Sequence, residues 1–377
     1  MSALVIDAPA YRRALAVRDL TDAAHGPHAM QLLVRDAIDA LHALWSCPVI
    51  VYRAPPLVPV ADNYDDLHYP PDGAARDARY TRYVDERQLL RTQTSSMIPR
   101  ALRMIAPARY DDVLLACTGL TYRRDSIDRL HVGEPHQLDL WRITQVPVRG
   151  DDLTQMIECV AGALLPGKEL RVEPASHPYT IDGLEVHACV GSAWVEILEC
   201  GLALPKLLAD AGYDPASHAG LAMGMGLDRM LMLRKGIDDI RLLRSQDRRI
   251  ALQMLDLSPY RIVSSQPAIQ RDLSIAIASE RNIEELGDRI RARLDETTAA
   301  GLEEISIVAE TPYAELSTAA QRRLGIAPHQ KNVVLRLVIR DIERTLTSHE
   351  ANQLRDVIYD LLHEGSVKTW AARGPQL

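Results

Sequence analysis

The ten residues Gly220-Leu221-Ala222-Met223-Gly224-Met225-Gly226-Leu227-Asp228-Arg229 constrain the fold more than any other stretch of the chain. The apolar run predicts a strand, Gly224 and Gly226 stand two apart on one of its faces, and Met230, Leu231 and Leu233 open a helix beyond. Glycine brings backbone close to a flat ligand because no Cβ intervenes. Arg229, held at the start of the helix, can lay its guanidinium plane over a nucleobase and still face phosphate oxygens. Together these features read as an ATP site. The same spacing also fits a tight strand-to-helix turn with a solvated arginine, so other residues have to decide.

With 377 residues the chain is long enough for two domains or three. Its net charge of −8 argues against nonspecific nucleic-acid binding through a broad cationic surface, while leaving room for a local basic face. Cys47, Cys117, Cys159, Cys189 and Cys200 are odd in number and form no C-x-x-C pair. Buried free thiols in a reducing compartment are expected, ahead of disulfides or a zinc site. No apolar run approaches a membrane span, and the N-terminus, with Asp7 early, lacks the core of a secretory signal. A cytoplasmic protein without a membrane partner is expected. There is no phenylalanine at all; 13 tyrosines, 10 methionines and the leucines must fill those volumes, which cores tolerate when volume is kept.

The periodicity predicts an amphipathic helix over 28–46, with Met30, Leu33, Ala37, Leu41 and Leu44 on one stripe. The proline-marked stretch 55–71 is expected to run as extended segment and loop. Short β-like runs follow at 113–115, 138–143, 184–189 and 194–198, which suggests a largely antiparallel sheet carrying a site on one face. Near residue 265 the character changes. Strands are predicted at 272–278, 302–308, 332–340 and 366–370. Helices are predicted over 283–294, with Asn282 and Glu285 as a capping pair, and from Thr347–Glu350 to His363. The order β-α-β-β-α-β is ferredoxin-like. The expected fold class is α+β, with one domain over 1–262 and a second over 263–377.

Three further clusters stand upstream of the glycines. In Tyr122-Arg123-Arg124-Asp125, Arg123 and Asp125 would share one strand face by period two. In His136-Gln137-Leu138-Asp139-Leu140, Gln137 and Asp139 share a face while Leu138 and Leu140 point to the core. A carboxylate beside an amide suits an ammonium group. Arg91-Thr92-Gln93-Thr94-Ser95-Ser96 is a polar run after Leu89-Leu90. Each alone also fits a solvated face or loop; their joint occurrence, in this order, is much less common by accident.

With these residues in view, the chain resembles the phenylalanyl-tRNA synthetases, class II aminoacyl-tRNA ligases. Further matching segments are Asp62-Asn63-Tyr64-Asp65-Asp66-Leu67, Trp194-Val195-Glu196 and Gly236-Ile237-Asp238-Asp239-Ile240-Arg241. The likeness covers roughly 28–260 as a class II catalytic domain, an antiparallel sheet flanked by helices. It continues into a ferredoxin-fold anticodon-binding domain marked by Ile339-Arg340-Asp341-Ile342-Glu343-Arg344-Thr345-Leu346. Both parts in one chain are similar to the organellar single-chain form. The resemblance implies ATP and Mg²⁺, an amino acid, a tRNA (that for phenylalanine), and a monomer or homodimer. The amino acid's carboxylate would attack the α-phosphorus of ATP, and the acyl group would pass to a tRNA ribose hydroxyl.

By the same resemblance Arg123 grips the α-phosphate and Arg229 stacks on adenine, with Asp125, Gly224 and Gly226 completing the ATP site. Glu196 is the implied Mg²⁺ ligand. Ser95, Gln137 and Asp139 hold the α-ammonium, while His177, Tyr179, Glu199 and Ala222 belong to the amino-acid pocket. Arg336 and Arg340 would face tRNA phosphates, although basic residues on a sheet face are often merely solvated. Three departures matter. His177-Pro178-Tyr179 replaces the family's Phe-Pro-Phe wall, Glu199-Cys200-Gly201 replaces Gly-Cys-Gly, and Pro135 replaces a phenylalanine that stacks on adenine. A carboxylate beside a pocket for a benzyl group is costly unless paired, so Glu199 turns outward, pairs with His177 or meets a polar substrate group. Three functions follow: charging of tRNA with phenylalanine, the same adenylation on a polar or non-proteinogenic aromatic amino acid, or an inactive tRNA-binding homologue. Freedom from phenylalanine would let the chain be translated when charged phenylalanine tRNA is scarce; codon reassignment or redesign would leave the same mark.

Overall fold

The computed structural model describes residues 5–263, 267–295, 298–299, 301–342 and 344–368. They group into two compact units. The first comprises residues up to Arg123, Glu134–Leu243 and Ile250–Tyr260; the second comprises Arg124–Gly133, Arg244–Arg249 and the chain from Arg261 onward. The expected boundary at 262/263 treats each side as continuous, whereas two short upstream segments group with the second unit.

In the first unit the strands are β1 (Val49–Tyr52), β2 (Leu57–Pro59), β3 (Gln88–Leu90), β4 (Asp112–Leu120), β5 (His136–Thr144), β6 (Leu170–Pro174), β7 (Thr180–Val190), β8 (Ala193–Ala203) and β9 (Ala219–Gly226). Seven form one sheet in the order β1-β4-β5-β9-β8-β7-β6, and β2 pairs with β3 apart from it. The sheet is largely antiparallel as expected, but not wholly: β1 lies parallel to β4, so the sheet is mixed. The stretch between Tyr52 and Asp112 supplies the long crossover that parallel neighbours require. Strands β7 and β8 run well past the predicted segments, because Asp182-Gly183 and Glu199 break the apolar pattern while pairing continues beyond them, with register shifts between Ile181 and Leu184 and between Val186 and His187.

Both faces of the central strands are buried. Val113, Leu115, Cys117, Trp141 and Ile143 pack with the helix Ile98–Ile105 and with Leu207 and Leu208. Leu114, Ala116, Leu138 and Leu140 on the opposite face are equally inaccessible, and the helices Ala29–Trp45 and Leu227–Lys235 pack on β4, β5 and β9. Burial on both sides explains why β4 reads as a continuous apolar run. The helix Ala29–Trp45 is capped by His28, whose Nδ1 accepts from Met30 N at 3.1 Å. It buries Met30, Leu33, Ala37 and Leu41 as the stripe predicts, but Leu44 only in part. The proline-marked stretch holds one surprise, a π-helical turn at Ala61–Asp65, in the interval between Pro59 and Pro70 that prolines leave free.

On β8, Gly201 is required by packing. A Cβ there would lie 2.7 Å from the Cβ of Thr180 and 3.1 Å from the carbonyl oxygen of Ile181. Gly201→Ala is therefore expected to cost about 1–3 kcal/mol by overpacking, read as a lower denaturation midpoint.

The second unit holds β10 (Ile269–Ala278), β11 (Leu302–Pro312) and β12 (Gln330–Ile339) as an antiparallel sheet in the order β10-β12-β11. Leu273, Ile275, Ile277, Leu335, Leu337 and Ile339 form its core with Leu286, Ile290, Ile358 and Leu362 from the helices Ile283–Arg291 and Ser348–Leu362. Each such buried side chain contributes about 1.5–3 kcal/mol. Both predicted caps form: Asn282 Oδ1 accepts from Glu285 N at 3.0 Å, and Thr347 with Glu350 makes a capping box. A helix at Thr318–Leu324, capped by Ser317, was not expected, because its small and polar residues show no apolar stripe. The strand predicted at 366–370 is not seen over Ser366–Lys368, and residues 369–370 lie outside the described residues. Ile127 belongs to this unit: its carbonyl accepts from Ile305 N at 2.8 Å.

Candidate active site

Strand register builds the site in rows. Asp139 on β5 lies opposite Gly224 on β9, which lies opposite Glu199 on β8. Gln137 faces Gly226, and Trp141 faces Ala222, which faces Gly201. Because side chains alternate along a strand, these positions share one sheet face. Above them is a cavity of about 130 Å³ lined by Ser95, Arg123, Gln137, Asp139, Tyr179, Glu196, Glu199, Gly224 and Gly226, among others. A recess of about 10 Å³ shares Asp139, Tyr179, Glu199 and Gly224 with it and adds Trp141, His177, Thr180 and Ala222. Most residues singled out by sequence thus come together.

Asp139 is buried and accepts hydrogen bonds from Thr94 Oγ1 and from Ser95 Oγ at 2.8 Å, with Trp141 Nε1 at 3.4 Å. Burial pushes its pKa up to about 6; these hydrogen bonds oppose the shift and the charge of Glu199 adds to it. Gln137 Oε1 accepts from Thr94 N at 3.1 Å, which fixes the amide beside the carboxylate. Thr94 and Trp141 went unrecognised by sequence. Trp141 stands two residues past Asp139 on the same strand, so period two pointed to it.

Arg123 anchors through Nε to the carbonyl of Thr92 at 2.7 Å and lines the cavity. Arg229 is the third residue of the helix Leu227–Lys235; it is not among the residues lining the cavity, but its Nη1 donates to the carbonyl of Glu196, which is, at 3.0 Å. Between Gly226 and Arg229, buried Asp228 accepts from His136 N and faces His136 Nδ1 at 3.1 Å. Asp125 is not among the residues around the cavity. The expected shared strand face with Arg123 does not form, because β4 ends at Leu120 and Asp125 groups with the second unit. Its Oδ1 accepts from Ser126 N at 2.8 Å.

The glycines are not demanded by the protein's own packing. A Cβ on Gly226 would meet nothing within 4 Å, and one on Gly224 would meet only the Asp139 carboxylate, at 3.7 Å or more. Neither has a positive φ. The space they leave open is the cavity. Gly226→Ala should therefore leave the melting temperature within a degree or two while weakening the ATP binding expected from the sequence, about tenfold, in an equilibrium titration.

His177 pairs with Glu199, Nε2 to Oε2 at 3.1 Å, while its Nδ1 lies 3.2 Å from Thr180 Oγ1. The hydrogen bond holds the Glu199 pKa below and the His177 pKa above their ordinary values. Of the three fates open to Glu199, pairing with His177 is the one observed. Tyr179 stacks against His177 with centroids 6.0 Å apart and tilts toward Trp141 at 6.1 Å.

Burial, then the charge of Glu199, raise the pKa of Glu196. Among the described residues no three His, Cys, Asp or Glu side chains gather into a metal site. Glu196 shares the cavity with the carboxylates of Glu199 and Asp139, and Mg²⁺ is commonly held by one or two carboxylates plus substrate phosphates. In the second unit, Arg336 is bridged to Asp272 at 2.8 Å and Arg340 to Glu303 at 2.8 Å. The cysteines are free as thiols, with Cys47, Cys117 and Cys200 buried. Among the described residues no helix is long and apolar enough to cross a membrane.

Residues 49–254, more than half of the chain, match the family described as tRNA synthetases class II core domain (F). The chain is 34% identical over 204 residues to the phenylalanine–tRNA ligase alpha subunit of Bacillus pumilus (strain SAFR-032), covering 51% of this chain and 58% of that one. It is 34% identical over 203 residues to the protein of the same name from Heliobacterium modesticaldum (strain ATCC 51547 / Ice1), covering 51% and 59%. The corresponding protein of Nostoc punctiforme (strain ATCC 29133 / PCC 73102) is 34% identical over 191 residues, covering 51% and 56%. The chain therefore spans somewhat more than half the length of these relatives.

Proposed function

The chain belongs to the tRNA synthetase class II core domain (F) family, and on that premise we propose that it activates an amino acid with ATP and transfers it to tRNA. One observation carries this: Arg123 and the Ser95–Gln137–Asp139 group line a single cavity over Gly224 and Gly226. A phosphate grip and an ammonium seat side by side are what the reaction needs. The amino acid's carboxylate attacks the α-phosphorus and pyrophosphate leaves, so no protein nucleophile is required. Positioning and neutralisation of the phosphate charge do the work. Asp139, Ser95 and Gln137 seat the α-ammonium, Arg123 meets the α-phosphate, and Arg229 lies over the base. Glu196 would hold Mg²⁺ together with the nucleotide, the ion offsetting phosphate charge when bound.

Phenylalanine is the amino acid named in the relatives, and tRNA for phenylalanine the corresponding acceptor, so both head the test. Amino-acid-dependent exchange of pyrophosphate into ATP is expected from the full chain; its absence with every amino acid would leave the inactive-homologue alternative. We extend the proposal to the second unit as a ferredoxin-like anticodon-binding domain. The order β10-β12-β11 is that of the first three strands of such a fold, and the two long helices share its core. Arg336 and Arg340 would meet tRNA phosphates only by exchanging Asp272 and Glu303 for them. Arg336→Glu is expected to lower tRNA charging several-fold and spare pyrophosphate exchange; equal loss of both would contradict the assignment. The relatives bear the name of an alpha subunit, so a complex with a different subunit joins monomer and homodimer as states that light scattering distinguishes.

A further inference from the structure

The row Asp139–Gly224–Glu199 places two carboxylates on one sheet face with a glycine between them. Adjacent strands lie about 4.8 Å apart, so their Cα atoms are roughly 10 Å from one another. A ligand whose ammonium sits on Asp139 lies across Gly224 and brings its side chain to Glu199. What waits there is polar and tight. The recess measures about 10 Å³, about one water, whereas a benzene-sized guest occupies a cavity of about 150 Å³. Trp141 and Tyr179 wall the recess; Trp141 is wholly buried, and the two ring centroids are 6.1 Å apart.

Glu199 is oriented for a ligand. His177 engages Oε2 and is itself oriented by Thr180, yet the Glu199 side chain remains 43% exposed and lines both the cavity and the recess. A phenyl edge pressed on this carboxylate would strip its hydration and return no hydrogen bond. A hydroxyl, amide or ammonium would return one, strengthened by the acceptor's charge.

Resting on the adenylation proposed above, we infer that Glu199 is a specificity-determining residue that accepts a hydrogen bond from the substrate's side chain, and that the substrate is a small α-amino acid bearing a hydrogen-bond donor, not phenylalanine. A site built around such a bond strongly rejects the analogue lacking it, because its own polar group is left unpaired.

The test is pyrophosphate exchange by the full chain across a panel. It pairs serine with alanine and threonine with valine, and adds asparagine, glutamine, lysine, tyrosine and phenylalanine. A small donor-bearing amino acid is expected to exceed phenylalanine and its donor-free partner by about 100-fold or more in kcat/KM. Glu199→Gln, nearly isosteric, should raise the KM of that amino acid at least tenfold while leaving the KM for ATP unchanged, a split that a merely structural residue would not produce. Glu199→Gly with Trp141→Leu, which vacates the recess, should move preference toward phenylalanine. Preference for phenylalanine or tyrosine in the native chain, or a Glu199→Gln variant with unchanged amino-acid KM, overturns the inference and leaves the adenylation proposal standing. Exchange with no member of the panel overturns both.

Discussion

Replacing Asp139 with asparagine is expected to stabilise the protein and to abolish amino-acid activation. The carboxylate is buried, and its pKa of about 6 stands above the ordinary aspartate value of 3.8. At 1.36 kcal/mol per unit, the buried charge costs the fold on the order of 3 kcal/mol at neutral pH. The sign follows from protons bound. Between the unfolded and folded values the folded chain holds the proton and the unfolded chain does not, so stability falls as pH rises through 6. Asparagine removes that penalty; its amide meets the hydroxyls of Thr94 and Ser95, which can turn to accept. A net gain of about 1–2 kcal/mol is expected at pH 7.5, shrinking toward zero near pH 4. Activity moves the other way. Without the charge the α-ammonium loses its counterion, and kcat/KM for the amino acid should fall by about 10³, as for loss of a buried charge-assisted bond. In the native enzyme kcat/KM should fall on acidification with a limb near pH 6. Thermal melts and exchange kinetics on the same samples check both; a variant less stable than the parent at pH 7.5 would mean that Asp139 is built into the fold, not held for a ligand.

Arg123→Ala is expected to have an effect on chemistry of similar size, carried mainly by kcat, and a smaller one on the fold. Arg123 is half-buried and is tied to the protein through Nε and the carbonyl of Thr92. Its removal costs little packing. A donor aimed at charge that develops during the reaction is worth about 10²–10³ in rate. Adenylate formation should therefore slow by that factor, mainly in kcat, with a shift of a degree or two in melting temperature. Arg123→Lys should restore only part of the activity, because an ammonium lacks the planar fork that matches two phosphate oxygens. Single-turnover measurement of adenylate formation separates this step from substrate binding. A rate within a factor of three of the parent would remove Arg123 from the mechanism.

Much of the site was legible because it is carried by strands, where the period of two fixes which residues share a face. Gln137 with Asp139, and Gly224 with Gly226, were paired from spacing alone, and register then joined them across β5, β9 and β8. Arg123 and Asp125 failed the same rule for a physical reason: the pairing partner of β4 begins at His136, opposite Leu120, so the ladder stops before the arginine, which makes only an isolated bridge with Thr81. Spacing of two from Asp139 puts Trp141 on the site face, but not its double role in the buried core and in the wall of the recess. The parallel pairing of β1 was hidden because strand direction depends on crossover, not composition. In the second unit the capped helices were evident from Asn282 and Thr347. The helix Thr318–Leu324 was not, since seven residues give too short a window for a stripe. The pairing of Glu199 with His177 depends on β7 and the turn before it returning beside β8, which no local pattern announces.

The most direct measurement is a crystal structure of the full chain with a non-hydrolysable ATP analogue. The account predicts the base over Gly224 and Gly226 beneath the plane of Arg229, with the α-phosphate within hydrogen-bonding distance of Arg123. A nucleotide bound elsewhere, or bound here with both guanidinium groups turned away from it, would contradict it.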